Sequence, residues 1–283
     1  MKTLLEVLQS GASYLADRGV ENPRLVMEQL MSHVLKCPRL QLYVRFETLI
    51  PETELVVLRA GIRRLAAGEP LQYVIGDTEF MGHRFKTDRR ALIPRPDTET
   101  LIAQVLECEA LWSIGKPVIA DIGTGSGCVV ISLALAKPEA SYMGVDASEA
   151  ALGLARENAD LNGVGQAIEF KLGNLLDGFE AGSLDAVMAN LPYISTADCS
   201  VLPRHIREQE PMSALAGGDD GLDLIRSLVE QAVVVLRPGG WIFLEIGFDQ
   251  GVPVVEWLTR HGFNGVRVHK DLGNRDRVVL ACR

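Results

Sequence analysis

The tetrapeptide at positions 190–193, Asn-Leu-Pro-Tyr, carries residue types that can hold a planar amide or amino nitrogen. The lone pair of such a nitrogen is delocalised, so it attacks poorly until acceptors on its N–H groups hold it in a polarising geometry. The side-chain oxygen of Asn190 can supply one acceptor and the backbone carbonyl of Leu191 another, its direction limited by Pro192. Tyr193 can stack on the planar group and fix its tilt. These four residues are the candidate catalytic and substrate-binding motif.

A glycine-rich turn, D-I-G-T-G-S-G at 121–127, follows the apolar run 118–120. Its alternating glycines allow positive φ angles and let a ligand approach the backbone without side chains in the way. A dinucleotide fingerprint needs glycine or alanine where Cys128 stands, so NAD binding is disfavoured. A purely structural turn is the alternative. The candidate cofactor-binding residues here are Asp121, Gly123, Thr124, Gly125, Ser126 and Gly127.

Two later positions add polar groups for a nucleoside. Asp146 lies roughly 20 residues beyond the glycines, where a nucleoside-binding α/β unit carries an acid for the ribose hydroxyls. It could also cap the helix that follows, as could Ser148. The Asn174 amide can both donate to and accept from an adenine edge, and an Asx-turn is its alternative role. Leu175 follows it at the same strand end.

Apolar runs predict the sheet that positions these residues. The short apolar run at 118–120 is typical of a buried parallel strand, and further strands are predicted at 141–145, 168–172 and 185–189. The other predicted elements are helices at 128–136, 221–237 and 254–261, a strand at 240–245 and an antiparallel pair with its turn at Gly273 and Asn274. The tetrapeptide then lies at the carboxyl end of the strand beside the glycine turn, where a doubly wound sheet opens its crevice.

Composition and charge exclude several classes of protein. The 283 residues are 47% hydrophobic, enough for a sizeable core in two domains, and the net charge is −9. This acidic balance gives no global positive field, so we expect no direct nucleic-acid substrate. No apolar run reaches the roughly 20 residues that span a bilayer, and the amino terminus is amphipathic, so we expect no membrane partner.

Cysteine and histidine usage predicts a cytoplasmic protein without a metal. The five cysteines are scattered and form no C-x-x-C pair, which suits a reducing compartment. The histidines show no clustered ligand spacing, and we attribute the spacing of His205 and Glu208 to chance.

The amino-terminal third has a different pattern. Apolar residues recur at helical spacing over residues 1–69, which predicts a small helical bundle. We expect it to position a macromolecular substrate, although a mere packing appendage would show the same pattern. Aromatic residues alternate around glycines at 70–93, which favours a β-hairpin linker. Two prolines stiffen L-I-P-R-P-D-T-E at 92–99, where a helix would begin with Asp97 or Thr98 as its cap.

Six ordered motifs resemble the peptide chain release factor N5-glutamine methyltransferases, a family of class I S-adenosylmethionine-dependent enzymes. The motifs lie at 68–76, 92–99, 121–127, 190–194, 210–223 and 237–247. The resemblance implies methyl transfer from S-adenosylmethionine to the side-chain amide of the glutamine in the Gly-Gly-Gln motif of release factors, proteins of translation termination. It places Asp146, Asn174, Leu175, Asn190 and the glycine turn on cofactor positions, and Asn190–Tyr193 on the glutamine-binding motif. Arg95 is a further substrate-binding candidate.

The resemblance also implies the architecture. We expect an α/β fold with a doubly wound, mostly parallel seven-stranded sheet and an antiparallel carboxyl-terminal strand pair, preceded by the helical bundle and the hairpin. The predicted domains are a helical substrate-recognition domain at 1–69, a linker at 70–93 and the methyltransferase domain at 94–283. We expect a cytoplasmic monomer. Glu210, Pro211 and residues 217–221 are expected to form a loop over the site, or else a simple connector.

Two residues depart from the family's usual pattern. Leu191 replaces the first proline of N-P-P-Y, which keeps the carbonyl acceptor but frees φ and costs roughly 0.4–1 kcal/mol of preorganisation. Asn174 replaces a common aspartate, so cofactor affinity is expected to change.

The N-L-P-Y form is typical of rRNA adenine N6-dimethyltransferases, which are therefore a competing hypothesis. The position of the helical module in front of the catalytic domain and the motif at 92–99 argue against them. Two further hypotheses are a ribosomal-protein glutamine methyltransferase and a non-catalytic cofactor-binding module.

Overall fold

The computed structural model describes residues 2–283, apart from the side chains at positions 204 and 205. The chain divides into two compact units. The helical unit comprises Met1–Asp77 and Pro203–Gln209, and the sheet unit comprises Thr78–Leu202 and Glu210–Arg283. The prediction that His205 and Glu208 are spaced by chance falls on a side chain outside the described residues.

The helical unit begins with a well-capped helix. Thr3 and Glu6 form a capping box, in which the Glu6 N–H donates to Thr3 Oγ1 at 3.3 Å and the Thr3 N–H donates to Glu6 Oε2 at 2.8 Å. Buried leucines and methionines from these helices form one core, which confirms the predicted helical bundle. The elements are α1 (Leu4–Ala16), α2 (Pro23–Val34), α3 (Arg39–Tyr43), α4 (Glu52–Ala66), α5 (Leu71–Ile75) and α11 (Arg204–Gln209), with an antiparallel pair of β1 (Lys2–Thr3) and β2 (Leu49–Ile50).

The predicted hairpin is shorter than the aromatic alternation suggests. It consists of β3 (Asp77–Phe80) and β4 (His83–Lys86), whereas the five residues of α5 before it are helical, which corrects the hairpin prediction at 71–75. Pro70 precedes that helix with φ −58°, and Gly76 ends it with φ 89°, a left-handed angle that glycine adopts without strain. Local proline and glycine signals therefore outweigh the alternation.

The sheet unit confirms the predicted seven-stranded sheet. The order is β10-β11-β9-β8-β5-β6-β7, with β9 to β7 parallel and β11 antiparallel to both of its neighbours. The strands are β5 (Val118–Ile122), β6 (Ser141–Asp146), β7 (Ile168–Leu172), β8 (Leu184–Ala189), β9 (Leu236–Glu245), β10 (Asn264–Lys270) and β11 (Asp276–Cys282). The helices are α6 (Glu99–Glu107), α7 (Glu109–Trp112), α8 (Cys128–Ala136), α9 (Glu149–Leu161), α10 (Thr196–Cys199), α12 (Asp223–Val235) and α13 (Gly251–Arg260), with 3-10 turns at Pro96–Thr98 and Met212–Ala214.

The order of the strands places a crevice beside β5. The chain builds β5, β6 and β7 outward in one direction and then returns to place β8 on the other side of β5. Open α/β sheets bind ligands at such a reversal, at the carboxyl ends of the strands. All six residues of β8 are buried, as expected for a strand covered on both faces.

Some boundaries differ from the sequence prediction. The strand β9 begins at Leu236 rather than at 240, and α12 begins at Asp223 rather than at 221. The predicted turn between the last two strands is confirmed, with Asn274 at φ 60°. Within the described residues, no helix is both long and apolar enough to cross a membrane.

Candidate functional site

The glycine turn leaves β5 in a conformation that requires its glycines. Gly123, Gly125 and Gly127 have φ angles of 72°, 56° and 80°, all left-handed. The N–H groups of Gly123 and Thr124 both donate to the carbonyl of Val145 on β6, at 2.8 and 3.0 Å. The turn is therefore fixed by its neighbouring strand and leads directly into α8, which begins at Cys128.

Asp146 lies against this turn. Its Oδ2 accepts the Gly125 N–H and its Oδ1 accepts the Ser148 N–H, both at 2.9 Å. Ser148 is the cap of α9, because its hydroxyl oxygen accepts the Ala151 N–H at 3.2 Å, so Asp146 is not the cap. A carboxylate has about four lone-pair positions. Asp146 thus retains capacity for the two hydroxyls of a ribose beside the turn.

The other polar side chains of the turn point into the protein. Asp121, Thr124 and Ser126 are each less than 5% exposed. The Thr124 hydroxyl donates to Asp121 Oδ2 at 2.7 Å, and burial raises the pKa of Asp121 to about 7. The buried amide of Asn158 donates to the Ser126 carbonyl at 2.9 Å. These side chains support the turn, so what they can offer a ligand is their backbone.

Asn174 and Leu175 follow β7 near the same sheet edge. The Asn174 side chain is exposed, and it is the Asn174 carbonyl that accepts the Asp177 N–H at 3.1 Å. Among the described residues nothing bonds the Asn174 side chain, so the Asx-turn alternative lacks its hydrogen bond. Leu175 is buried with φ 51°, a costly conformation for leucine. Such strain clusters at binding sites.

The tetrapeptide begins where β8 ends and touches the glycine turn. A Cβ built on Gly123 would lie only 3.0 Å from Leu191 Cδ2, so the leucine fills the space beside the turn. Leu191 is 4% exposed, and its carbonyl is the only polar acceptor that this residue could offer a ligand. Asn190 is partly exposed, and its Nδ2 donates to Thr98 Oγ1 at 3.1 Å.

The segment after residue 210 is tied to the backbone of the tetrapeptide. The Gly217 N–H donates to the Ile194 carbonyl at 2.8 Å, and the Ile194 N–H donates to the Leu215 carbonyl at 3.0 Å. Cβ atoms at Gly217 and Gly221 would lie 2.4 and 2.1 Å from the carbonyl oxygens of residues 192 and 193. This segment therefore packs on the motif and is more than a connector.

Arg95 is held by an ion pair. Its Nη2 donates to Glu210 Oε1 at 2.5 Å, and the Ile93 N–H reaches Glu210 Oε2 at 3.4 Å. The Glu210 side chain is 1% exposed and the Arg95 side chain 37%. The pair joins the motif at 92–99 to the segment that packs on the tetrapeptide. Substrate binding by Arg95 stays a prediction.

A buried polar cluster behind the tetrapeptide was not found by sequence reasoning. Thr98 does not cap α6 with its side chain, and Glu245 and Arg277 are buried nearby. Arg277 Nη1 lies 3.5 Å from the Tyr193 hydroxyl, and Arg277 also pairs with Asp271 at 3.1 Å. Burial raises the pKa of Tyr193 to about 12. Thr98 and Glu245 lie within the motifs at 92–99 and 237–247, but nothing in the sequence singles out Arg277.

Two family models match the chain: the PrmC N-terminal domain over residues 6–76 and the methyltransferase small domain over residues 98–209. The release factor glutamine methyltransferase of Geobacter sulfurreducens is 39% identical, over 98% of this chain and 95% of its own. That of Moorella thermoacetica is 41% identical over 99% of both chains. The chain belongs to the release factor glutamine methyltransferase family. The resemblance inferred from the six motifs is thereby confirmed.

Solved structures support the fold of this family member. The hMettl16 catalytic domain in complex with the MAT2A 3′UTR hairpin 6 superposes with a TM-score of 0.56 at 19% identity, covering 81% of each chain. A methyltransferase from Pyrococcus furiosus gives 0.51 at 18% identity, covering 72% of this chain and 90% of its own. At these identities the likeness establishes the class I methyltransferase architecture.

Proposed function

We propose that this chain transfers a methyl group from S-adenosylmethionine to the side-chain amide nitrogen of the glutamine in the Gly-Gly-Gln motif of peptide chain release factors. The observation that carries this proposal is the contact of Leu191 with Gly123. This contact supports the proposal that Asn190 Oδ1 and the Leu191 carbonyl act on a planar amide beside the glycine turn. The full-length similarity to enzymes of that name supports the same substrate.

The residues around the glycine turn fit S-adenosylmethionine. Asp146 has free lone pairs for the ribose, the three glycines of the turn carry no side chains of their own, and the exposed Asn174 amide suits an adenine edge. Leu175 would border the base and Asn190 the reacting end. When bound, the cofactor supplies an electrophilic methyl group carried on a sulfonium.

The tetrapeptide would prepare the substrate nitrogen. Asn190 Oδ1 and the Leu191 carbonyl each accept one N–H of the glutamine amide, which polarises the nitrogen, and Tyr193 fixes the tilt of the amide plane. Positive charge that develops on the nitrogen is stabilised by the same two oxygens. The sulfonium is a strong electrophile, so no strong base is required and the proton can leave to water after transfer.

We assign substrate recognition to residues 1–69, a linker to 70–93 and methyl transfer to 94–283. Release factors are the proposed protein partners, and Arg95 is a proposed contact with them. We also propose that the protein acts as a cytoplasmic monomer, with neither a membrane nor a nucleic acid as its direct partner.

Methyl transfer to purified substrates tests the function. Labelled S-adenosylmethionine is supplied with a release factor, with its Gly-Gly-Gln→Gly-Gly-Ala variant and with unmethylated small-subunit rRNA. We expect label on the unaltered release factor alone. Label on rRNA would replace the proposed substrate, and tight cofactor binding without any transfer would identify a binding module.

A further inference from the structure

The orientation of the Asn190 amide decides whether the tetrapeptide can act. A side-chain amide presents an acceptor at one end and two donors at the other, and its hydrogen-bond partners select which end faces a site. Asn190 Nδ2 donates to Thr98 Oγ1 at 3.1 Å, while no described residue donates to Asn190 Oδ1. The structure therefore has the oxygen available to a substrate amide.

Thr98 alone cannot impose that orientation. Its hydroxyl has one proton and can either accept from Nδ2 of Asn190 or donate to the oxygen of a reversed amide. Thr98 is 2% exposed, so water is a poor alternative partner. The direction is set by the group on the other side of the hydroxyl. That group is the Glu245 carboxyl, which is also 2% exposed and whose pKa is lowered by the Thr98 hydroxyl.

An ionised carboxylate only accepts hydrogen bonds. It draws the Thr98 proton towards itself and leaves the hydroxyl oxygen free to accept from Asn190 Nδ2. A protonated Glu245 can instead donate to Thr98, whose own proton then turns towards Asn190 and favours the reversed amide. The reversed amide would turn its own N–H groups towards those of the substrate glutamine. Two donors cannot form a hydrogen bond with each other.

We propose that Glu245 and Thr98 are positioning residues that form a hydrogen-bond relay and, with Glu245 ionised, fix the Asn190 amide with its oxygen towards the substrate nitrogen. The catalytic consequence rests on the proposed function, whereas the amide orientation can be observed without it. Neither residue touches the substrate. Their effect on transfer passes through Asn190.

The surroundings of Glu245 make its charge responsive near neutral pH. Its Oε2 is buried without a hydrogen-bond partner among the described residues. Burial raises its pKa to about 7, Asp97 adds to this effect, and the Thr98 and Tyr193 hydroxyls and the charge of Arg277 oppose it. The buried thiol of Cys128 also interacts electrostatically with this carboxylate. Glu245 therefore loses its proton as the pH rises through about 7.

Three variants isolate the relay in methyl transfer. Thr98→Val removes the hydroxyl at constant shape, Thr98→Ser keeps it, and Glu245→Gln places a donor where the carboxylate only accepts. We expect kcat to fall at least tenfold in Thr98→Val and Glu245→Gln, to stay within threefold in Thr98→Ser, and KM for S-adenosylmethionine to change little in all three.

Matched controls exclude a general loss of packing. Ser132→Ala removes a buried hydroxyl that bonds its own helix at Cys128, and Asp185→Asn alters a buried carboxylate at the opposite end of β8. Both should keep wild-type kcat. Melting temperatures of all five variants show whether each is folded.

Two readouts report on the relay itself. The kcat of the wild type should rise between pH 6 and 8, and this rise should shrink in Glu245→Gln. Asp121 also has a pKa raised to about 7 and is unchanged in this variant, so any rise that remains can be attributed to Asp121. The side-chain NH₂ resonances of Asn190, assigned by their absence in Asn190→Ala, should shift over the same pH range in the wild type and not in Glu245→Gln.

Retention of kcat in Thr98→Val, or Asn190 resonances that titrate identically in the wild type and Glu245→Gln, would refute the relay. A wild-type protein that methylates no release factor would refute the proposed function instead. The Asn190 resonances would still test the relay in that case.

Discussion

The two acceptors proposed for a substrate nitrogen are held in different ways. The Leu191 carbonyl belongs to a backbone that is fixed on one side by the glycine turn and on the other by Gln250, whose Nε2 donates to the Tyr193 carbonyl at 2.9 Å. The Asn190 oxygen belongs to a side chain that can rotate. Preorganisation therefore depends on what holds Asn190, and removal of its side chain eliminates one acceptor without moving the other.

Asn190→Ala is expected to lower kcat for methyl transfer by about 100-fold or more, the usual cost of losing one preorganised hydrogen-bonding group in a site. The fold should persist, because Asn190 is only partly buried. Radiometric transfer and calorimetric binding of S-adenosylmethionine measure the two effects separately. Near-normal turnover in this variant would contradict the proposed role of Asn190.

Asp146→Ala is expected to weaken S-adenosylmethionine binding by about tenfold or more, because hydrogen bonds to a charged group contribute roughly 1.5–3 kcal/mol. The substitution also removes the acceptor of the Gly125 N–H. Asp146→Asn keeps one acceptor oxygen, so its dissociation constant for S-adenosylmethionine should lie between those of the wild type and Asp146→Ala. Equal dissociation constants for all three would remove Asp146 from the cofactor site.

At the scale of elements, the turn after β5 and the tetrapeptide after β8 are coupled by one contact. Gly123→Ala should destabilise the sheet unit both through its φ of 72° and through the close approach of Leu191. Gly163 has a φ of 75° and nothing within 4 Å of a Cβ, so Gly163→Ala carries the conformational cost alone. We expect Gly123→Ala to be less stable than Gly163→Ala by about 1 kcal/mol or more in urea unfolding.

The double variant Gly123→Ala with Leu191→Ala identifies the source of that difference. Truncating the leucine should remove the crowding, so the cost of Gly123→Ala should fall to that of Gly163→Ala. An unchanged cost would show that the difference does not come from the Leu191 contact.

The pair of Arg95 and Glu210 joins two loops, and its role can be decided by stability. Arg95→Ala leaves the buried Glu210 carboxylate without its cation, so we expect the free energy of unfolding to fall by roughly 1–3 kcal/mol. This is less than the cost of breaking a fully buried pair, because the Arg95 side chain is 37% exposed. Arg95→Lys should restore part of the loss. If Arg95 acted only on substrate, KM for the release factor would rise and urea unfolding would not change.

The sequence predicts those helices and strands whose start and end are marked by neighbouring residues. The helix at 128–136 and the strand at 168–172 have the predicted bounds, and a glycine stands just before the helix and just after the strand. The five helical residues of α5 depart from the prediction because Pro70 and Gly76, which start and end the helix, outweigh the aromatic alternation. The glycine turn and tetrapeptide lie together as expected from strand order.

What the sequence could not predict are contacts between distant segments. Thr98 lies at a helix start, and its pattern indicates a cap, yet its hydroxyl accepts from Asn190, 92 positions away. Arg277 meets Tyr193 across 84 positions. Such contacts depend on tertiary packing and carry no periodic or spacing signal, so only the structure reveals the cluster behind the tetrapeptide.

At the scale of the whole molecule, the two units can be followed separately. Trp112, Trp241 and Trp257 are the three tryptophans of the chain, and all lie in the sheet unit. Tryptophan fluorescence therefore reports on unfolding of the unit that holds the proposed catalytic residues. The same unit holds both carboxyl groups whose pKa is raised to about 7, Asp121 and Glu245.

Because the pKa values of these two carboxyl groups are raised, we expect the free energy of unfolding of the sheet unit to decrease as the pH rises from 6.5 to 8. In this range the unfolded chain has already released both protons, since its carboxyl pKa values lie near 4, while the folded state still holds part of them. The unfolded state thus binds fewer protons, and the free energy of unfolding decreases with pH by about 1 kcal/mol for each group. His269, whose pKa burial lowers, acts in the opposite direction until the unfolded imidazole has released its proton at about pH 7.5, so it offsets part of this decrease.

Urea unfolding followed by tryptophan fluorescence at pH 6.5 and 8 measures this decrease. Asp121→Asn should reduce it by about half, because the amide has no proton to lose over this range while Glu245 continues to titrate. A free energy of unfolding that rises with pH in the wild type, or an identical decrease in Asp121→Asn, would show that the Asp121 carboxyl is already ionised in the folded protein. Its bond from Thr124 would then be charge-assisted, and the support beneath the glycine turn would be strongest at high pH instead of being weakened there.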